Sequence, residues 1–141
     1  MASTPHSPTA APGTPVTSSD GLARLALRLD GAVTGLNSLA YLAFAAALES
    51  LLGIGASLLY PAGAFLLLFA PVVLVAGTRE RVSGKALGAV LTANLLWALL
   101  SLIALVSGLL SPTLVGEVWV VPQAVVVALF AALQHAGLKR L

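Results

Sequence analysis

Four long apolar runs, separated by short loops, limit what this chain can fold into. They cover about residues 30–52, 58–76, 86–110 and 118–138. Each run is close to the roughly 20 residues that an α-helix needs to cross a hydrocarbon layer of about 30 Å. Continuous apolar runs without strict alternation favour helices over the strands of a membrane barrel. The sequence therefore predicts an all-α, polytopic membrane four-helix bundle within residues 21–141.

The composition agrees with a membrane protein and excludes several other classes. Of the 141 residues, 59% are hydrophobic and 9% are charged, whereas soluble domains carry about 25% charged residues. The chain has no cysteine, which excludes disulfides, iron–sulfur clusters and thiol chemistry. Its seven basic residues are too few to indicate nucleic-acid binding.

Residues 1–20 differ from the rest of the chain because they are rich in Ser, Thr, Pro and Ala. Such a segment buries too little apolar surface to offset its ordering entropy, so we expect a disordered tail. An alternative is a signal peptide that begins near Arg24 and is cleaved after Ala47. Its apolar region would exceed the usual 7–15 residues and would be interrupted by Asn37.

The basic residues predict the orientation in the membrane, because all of them fall on one side of the four runs. Glu49 and Glu117 flank the two opposite loops, which hold no Lys or Arg. By the positive-inside rule, the tail and both termini are cytoplasmic in a bacterial inner (plasma) membrane. The basic residues are Arg24, Arg28, Arg79, Arg81, Lys85, Lys139 and Arg140.

Polar side chains recur on one face of the first and third runs. In the first run they are spaced i, i+4, i+7 and i+11, and in the third run Asn94 and Ser101 share a face with Trp97 between them. Polar residues inside a membrane span face the bundle interior or a cavity, so these stripes either line a small-ligand or ion site or join helices by hydrogen bonds. The first stripe consists of Asp30, Thr34, Asn37 and Tyr41. Asp30 is also interpreted as a boundary residue that pairs with Arg28 or starts the helix, with gating or proton handling as the alternative.

An internal repeat relates the two asparagines. Asn94 lies 57 residues after Asn37 (94 − 37 = 57), and at this offset 10 of the 22 residues in 31–52 meet an identical residue. The repeat suggests two duplicated helical hairpins of the same orientation, related by an axis along the membrane normal. Parallel repeats of this kind occur in some transporters, but also in bundles without transport activity.

Small residues at every fourth position predict close helix packing within the chain or between copies. They are Gly31 and Gly35, Gly84 and Gly88, and the stripe Ala124, Ala128, Ala132 and Ala136. A further cluster at the start of the fourth run is either an outer mouth that faces a ligand or an interfacial anchor; it consists of Glu117, Trp119 and Gln123.

Chemical motifs are absent from the sequence. There is no nucleophile–base pair, phosphate loop, nucleotide fingerprint or metal-ligand spacing, and His135 has only His6 in the tail as a second histidine. We therefore expect no enzyme activity, no cofactor and no metal.

Three stretches carry a resemblance to known proteins. They are LRLDGAVTGLNSLAYL (27–42), NLLWAL (94–99) and VWVVPQAVVVALFAALQ (118–134). Together they resemble a group of small, uncharacterised four-span membrane proteins of high-GC actinobacteria, and this resemblance brings no activity with it. In layout alone, the chain is also similar to DoxX-like membrane proteins, some of which associate with membrane redox enzymes.

The sequence leaves three functions open. The leading interpretation is a structural or accessory helix bundle that acts through helix–helix contacts with itself or a membrane protein partner in the lipid bilayer. The first alternative is a small homo-oligomeric transporter or channel, although no carboxylate is expected in the middle of a span. The second is a quinone- or lipid-binding subunit of a membrane redox system.

Overall fold

A computed structural model of the protein describes residues 20–141, and the predicted tail lies outside these residues except for Asp20. The described part contains helices and no strand, so the prediction of an all-α protein is confirmed. In chain order, the helices are α1 (Gly21–Ala43), α2 (Ala45–Leu52), α3 (Ala56–Thr78), α4 (Gly84–Val106) and α5 (Leu114–Leu138).

Three of the helices, α3, α4 and α5, are each long and apolar enough to cross a membrane. Helices α1 and α2 meet the same criterion only when taken together, and they are bent by 95° at the break between them. The described chain therefore has three membrane-capable helices, or four if the bent pair is counted as one span.

The predicted first span, over about residues 30–52, is not one continuous helix. Helix α1 already begins at Gly21, and the helix is interrupted at Phe44, after which α2 leaves at a steep angle. The early start places Arg24 and Arg28 on the helix rather than in a loop before it. A single long apolar run does not reveal a bend, because both sides of the bend are apolar.

Helix α1 is the centre of the arrangement. It packs most extensively on α3 and also on α5, while α4 packs mainly on α5 and touches α3 at few points. Across the molecule the order is therefore α3, α1, α5, α4. The buried side of α1 recurs every three or four residues, as expected for one face of a helix. Its members are Ala23, Ala26, Leu27, Asp30, Gly31, Thr34, Ser38 and Tyr41.

Arginine side chains from α1 close the C-terminal end of α3. Arg24 donates hydrogen bonds to the carbonyls of Arg79 at 2.6 Å and Glu80 at 3.0 Å, and Arg28 donates to the carbonyl of Gly77 at 3.2 Å. The last carbonyls of a helix have no partner within the helix, and positive charge is favourable at that end. These contacts fix the basic end of the α1–α3 pair.

The opposite end is joined through Thr113, the N-cap of α5. Its hydroxyl accepts a hydrogen bond from the Gly116 amide and donates to the Leu51 carbonyl at 2.7 Å, and its amide donates to the Leu52 carbonyl at 3.0 Å. Gly53 ends α2 in the left-handed conformation at φ 70°, which glycine adopts without strain. One threonine therefore completes both α2 and α5.

The glycines predicted to allow close packing differ in how near the neighbouring helix lies to them. A Cβ on Gly31 would lie 2.6 Å from Leu74 Cγ, whereas a Cβ on Gly35 or Gly84 would make ordinary contacts at 3.7 Å. A Cβ on Gly88 would meet nothing within 4 Å, so the packing role predicted for Gly88 is wrong within this chain.

The alanine stripe of α5 is not a packing surface inside the molecule. Ala124 is buried, but Ala128 and Ala132 are exposed and Ala136 is only half-buried. Of the two predicted alternatives, a seam within the chain is excluded for Ala128 and Ala132, whose face of α5 points outward, and a seam between copies stays a prediction.

Candidate functional site

Asp30 lies inside the bundle, with 1% of its surface exposed. It is nine residues past Gly21 (30 − 21 = 9), or about 14 Å along α1 at 1.5 Å per residue. The prediction of a boundary residue paired with Arg28 is therefore wrong. No described cation forms an ion pair with Asp30, and Arg28 contacts the end of α3 instead.

Three neutral side chains donate hydrogen bonds to the Asp30 carboxylate. Oδ2 accepts from Asn94 Nδ2 at 2.6 Å and from Gln134 Nε2 at 2.7 Å, and Oδ1 accepts from the Thr34 hydroxyl at 3.1 Å. Asn94 Nδ2 also donates to Gln134 Oε1 at 3.1 Å. We call these four residues the Asp30 cluster. It connects α1, α4 and α5, and each of its four side chains is buried.

The cluster satisfies its own polar groups. Carboxylate oxygens accept hydrogen bonds, and the two oxygens of Asp30 meet three donors. An unpaired buried donor or acceptor costs about 1–3 kcal/mol, so the close matching of donors to acceptors matters for stability. The arrangement can hold three helices in register.

The cluster lies in the half of the bundle that carries the basic residues. Gln134 is four residues before the end of α5 (138 − 134 = 4), which is about 6 Å. Asn94 is ten residues after the start of α4 (94 − 84 = 10), which is about 15 Å. The carboxylate is therefore within the packed helices and nearer to the basic end than to the end that carries Glu49 and Glu117.

A small cavity adjoins the cluster at the centre of α1, α3, α4 and α5. Its volume is about 30 Å³, and Thr34 and Asn94 belong to both the cluster and the cavity wall. One water needs about 10–15 Å³ of such space, whereas ligand pockets measure about 300–1,000 Å³. The cavity therefore has room for two or three waters and not for an organic molecule. It is lined by Val33, Thr34, Asn37, Phe65, Leu66, Phe69, Ala93, Asn94, Trp97, Gln123, Val127 and Phe130.

Two amides face this cavity without a hydrogen bond to any described residue. Asn37 and Gln123 are both half-buried and both line the wall. Together with Thr34 and Asn94, they give the cavity four polar groups, which is enough to hold an ordered water. Sequence reasoning left open whether Asn37 and Asn94 bond each other or line a cavity. In the structure both line the cavity, and they do not bond each other.

Aromatic rings close the side of the cavity between α3 and α4. Phe65 stacks on Trp97 with ring centroids 6.0 Å apart, and on Phe69 at 5.7 Å. Ser101, the last member of the stripe predicted on α4, donates to the Trp97 carbonyl of its own helix and does not line the cavity.

The residues predicted for the outer mouth do not form one site. Trp119 Nε1 donates to the Tyr41 hydroxyl at 3.0 Å, which joins α5 to α1. Trp119 and Gln123 line a groove of about 200 Å³ together with Asn37, but Glu117 is exposed and lies outside its wall. Tyr41 is thus linked to the outer-mouth group rather than to the Asp30 cluster.

Gln134 is the cluster member that sequence reasoning missed. It is fully buried, and it shares one face of α5 with Val120, Ala124 and Ala131 at intervals of three, four or seven residues. A glutamine on such an apolar face is the signal that could have identified it, because polar residues inside a span point inward.

Comparisons with protein-family models, with curated proteins and with solved structures found no match for this chain. Within residues 20–141, no group of three or more His, Cys, Asp and Glu side chains comes together in a way that could hold a metal ion.

Proposed function

We propose that the protein is a four-span integral protein of a bacterial inner membrane, with α1 and α2 together as the first span and both termini cytoplasmic. The one-sided distribution of all seven basic residues supports this orientation. The extensive pairing of α1 with α3 and of α4 with α5 supports two hairpins of the same orientation, in line with the repeat at an offset of 57 residues (94 − 37 = 57).

The proposed role is that of a structural or accessory bundle that acts through helix–helix contacts with itself or with a membrane protein partner. The observation that carries this proposal is the self-satisfied Asp30 cluster beside a cavity of about 30 Å³. The side chains of the Asp30 cluster are engaged in hydrogen bonds with one another, and the adjoining cavity has no space for an organic substrate. The same lack of space disfavours a quinone in the bundle centre.

The outward face of α5 supports contact with another helix. Ala128 and Ala132 are exposed and separated by one helical turn. Small residues at this spacing allow a second helix to approach closely in lipid, where van der Waals packing rather than the hydrophobic effect drives association.

Native mass spectrometry of the full-length protein, released from a mild detergent, tests the accessory role. We expect an oligomer or a defined complex that Ala132→Leu weakens. The matched control is Ala89→Leu, which makes the same change at an exposed position of α4. A bare monomer, or equal loss in both variants, would contradict the proposal.

A second candidate is a small proton- or cation-linked transporter or channel, and the Asp30 carboxylate inside the bundle favours it. An ionisable residue within a membrane span is by default a candidate functional group. The adjoining cavity, with Asn37 and Gln123 free to bind water, provides the start of a polar path.

Proton flux into proteoliposomes decides between the two candidates. The accessory role predicts no flux above that of empty vesicles. The transporter predicts flux that Asp30→Asn abolishes although the variant stays folded, because the amide cannot release a proton. Flux that is lost in this way would replace the accessory role by transport.

A further inference from the structure

A second polar feature lies outside the Asp30 cluster, in a groove between α3 and α4 at the basic end. The groove measures about 520 Å³ and exists because these two helices touch at few points. Its walls are apolar and its mouth is basic. It is lined by Pro71, Val72, Val75, Ala76, Arg79, Arg81, Ser83 and Ala86.

The two arginines at the mouth differ from those of α1. Arg24 and Arg28 use their guanidinium groups to close the end of α3. The side chains of Arg79 and Arg81 are exposed and form no hydrogen bond or ion pair with any described residue, and Glu80 between them forms no ion pair either. Their charge is therefore available to a ligand.

The apolar part of the groove extends inward from these charges. Val75 is four residues before Arg79 and Pro71 is eight before it, which are distances of about 6 Å and 12 Å along a helix. The exposed side chains of Val72 and Val75 thus continue the groove away from the basic end, and they line it together with Arg79 and Arg81. A ligand that fits this shape has an anionic head and a hydrocarbon chain.

We propose that the groove binds an anionic phospholipid of the leaflet on the basic side, with its phosphate at Arg79 and Arg81 and one acyl chain along α3. A guanidinium group can donate two parallel hydrogen bonds to the oxygens of one phosphate. Basic pockets between membrane helices bind anionic headgroups. The proposal rests on the membrane location of the chain, and it holds for either of the two candidate functions.

Native mass spectrometry with added lipid tests the site. The probe is phosphatidylglycerol, compared with phosphatidylcholine of the same acyl chains, added to the full-length protein in detergent. The variant is Arg79→Gln/Arg81→Gln. Its control is Lys139→Gln/Arg140→Gln, which removes the same charge at the same end from exposed residues outside the groove.

We expect the groove variant to bind phosphatidylglycerol roughly thirtyfold more weakly, because each basic residue near the membrane surface raises the affinity for an anionic lipid about fivefold. The control should keep most of the affinity. Val75→Trp, which fills the groove and keeps both charges, should also lose binding. Equal loss in the two charge variants, or equal binding of both lipids, would overturn the proposal.

Displacement of the lipid by millimolar inorganic phosphate would likewise overturn it, because the site would then recognise free phosphate. A thermal melt of each variant shows that the bundle is intact. Failure of the lipid site leaves the oligomer and flux measurements unaffected, so it can be distinguished from failure of the proposed function.

Discussion

At the level of single residues, the packing of three helices depends on the hydrogen bonds of one carboxylate. Asp30 accepts hydrogen bonds from Thr34, Asn94 and Gln134, which come from its own helix and from two others. In a membrane interior, polar contacts between helices are worth about 0.6–2 kcal/mol each. The cluster therefore contributes to stability through several modest bonds that share the same few side chains.

The contribution of Gln134 can be isolated with a matched substitution. Gln134→Ala removes two hydrogen bonds and leaves Asp30 and Asn94 short of a partner, so we expect a loss of about 1–3 kcal/mol in the free energy of unfolding. Gln123→Ala removes a half-buried amide without a described hydrogen bond and should cost less than about 1 kcal/mol. Denaturation in detergent micelles measures both. Equal losses would show that Gln134 acts only by filling space.

Sequence patterns identified much of the cluster but not its connections. Asp30, Thr34 and Asn94 were predicted as inward-facing polar residues from their spacing, and the structure brings these three together. Their mutual bonds could not be predicted, because the repeat suggested that Asn94 matches Asn37. Asp30 lies beside Asn94 only because α1 and α4 both pack on α5.

At the element scale, helix positions follow from composition, but helix ends and bends do not. The apolar runs locate α3, α4 and α5 to within four residues at each end. The apolar run does not reveal the start of α1 at Gly21, because the first turns of the helix carry Arg24 and Arg28, which bind the end of α3. The break at Phe44 could not be predicted, because no proline or glycine lies next to it in the sequence.

The contact between α1 and α5 depends on a glycine at their crossing. A Cβ on Gly137 would lie 2.8 Å from the backbone nitrogen and Cα of Ala23, so Gly137→Ala must push the two helices apart. We expect a loss of about 1–3 kcal/mol in the free energy of unfolding. Gly88→Ala is the control, since its Cβ meets nothing within 4 Å and the helix gains up to about 1 kcal/mol. Similar melting temperatures for both variants would contradict the α1–α5 crossing.

At the scale of the whole molecule, the least apolar of the four long helices is the most enclosed. Helix α1 meets the criterion for a membrane span only together with α2, and it packs between α3 and α5. The more apolar helices carry most of the large exposed hydrophobic side chains, as expected where lipid is the solvent. This sorting of helices by polarity could be predicted from composition, whereas their order across the bundle required the structure.

The proposed orientation has a direct test, because the natural chain has no cysteine to interfere. Glu49→Cys places a thiol at the exposed end that lacks basic residues, and Lys139→Cys places one at the exposed basic end. In spheroplasts, we expect a membrane-impermeant maleimide to label the first at once and the second only after permeabilisation. The reverse pattern would contradict cytoplasmic termini.

The most direct test of the central claim, that hydrogen bonds to Asp30 hold α1 against α4 and α5, compares Asp30→Asn with Asp30→Ala. The Asn oxygen can still accept from Asn94 and Gln134, and its amide can donate to the Thr34 hydroxyl, so all three bonds survive without the charge. We predict an unfolding free energy within about 1 kcal/mol of wild type for Asp30→Asn, and a loss of roughly 2–4 kcal/mol for Asp30→Ala. If Asp30→Ala is as stable as wild type, or Asp30→Asn as unstable as Asp30→Ala, the account is contradicted.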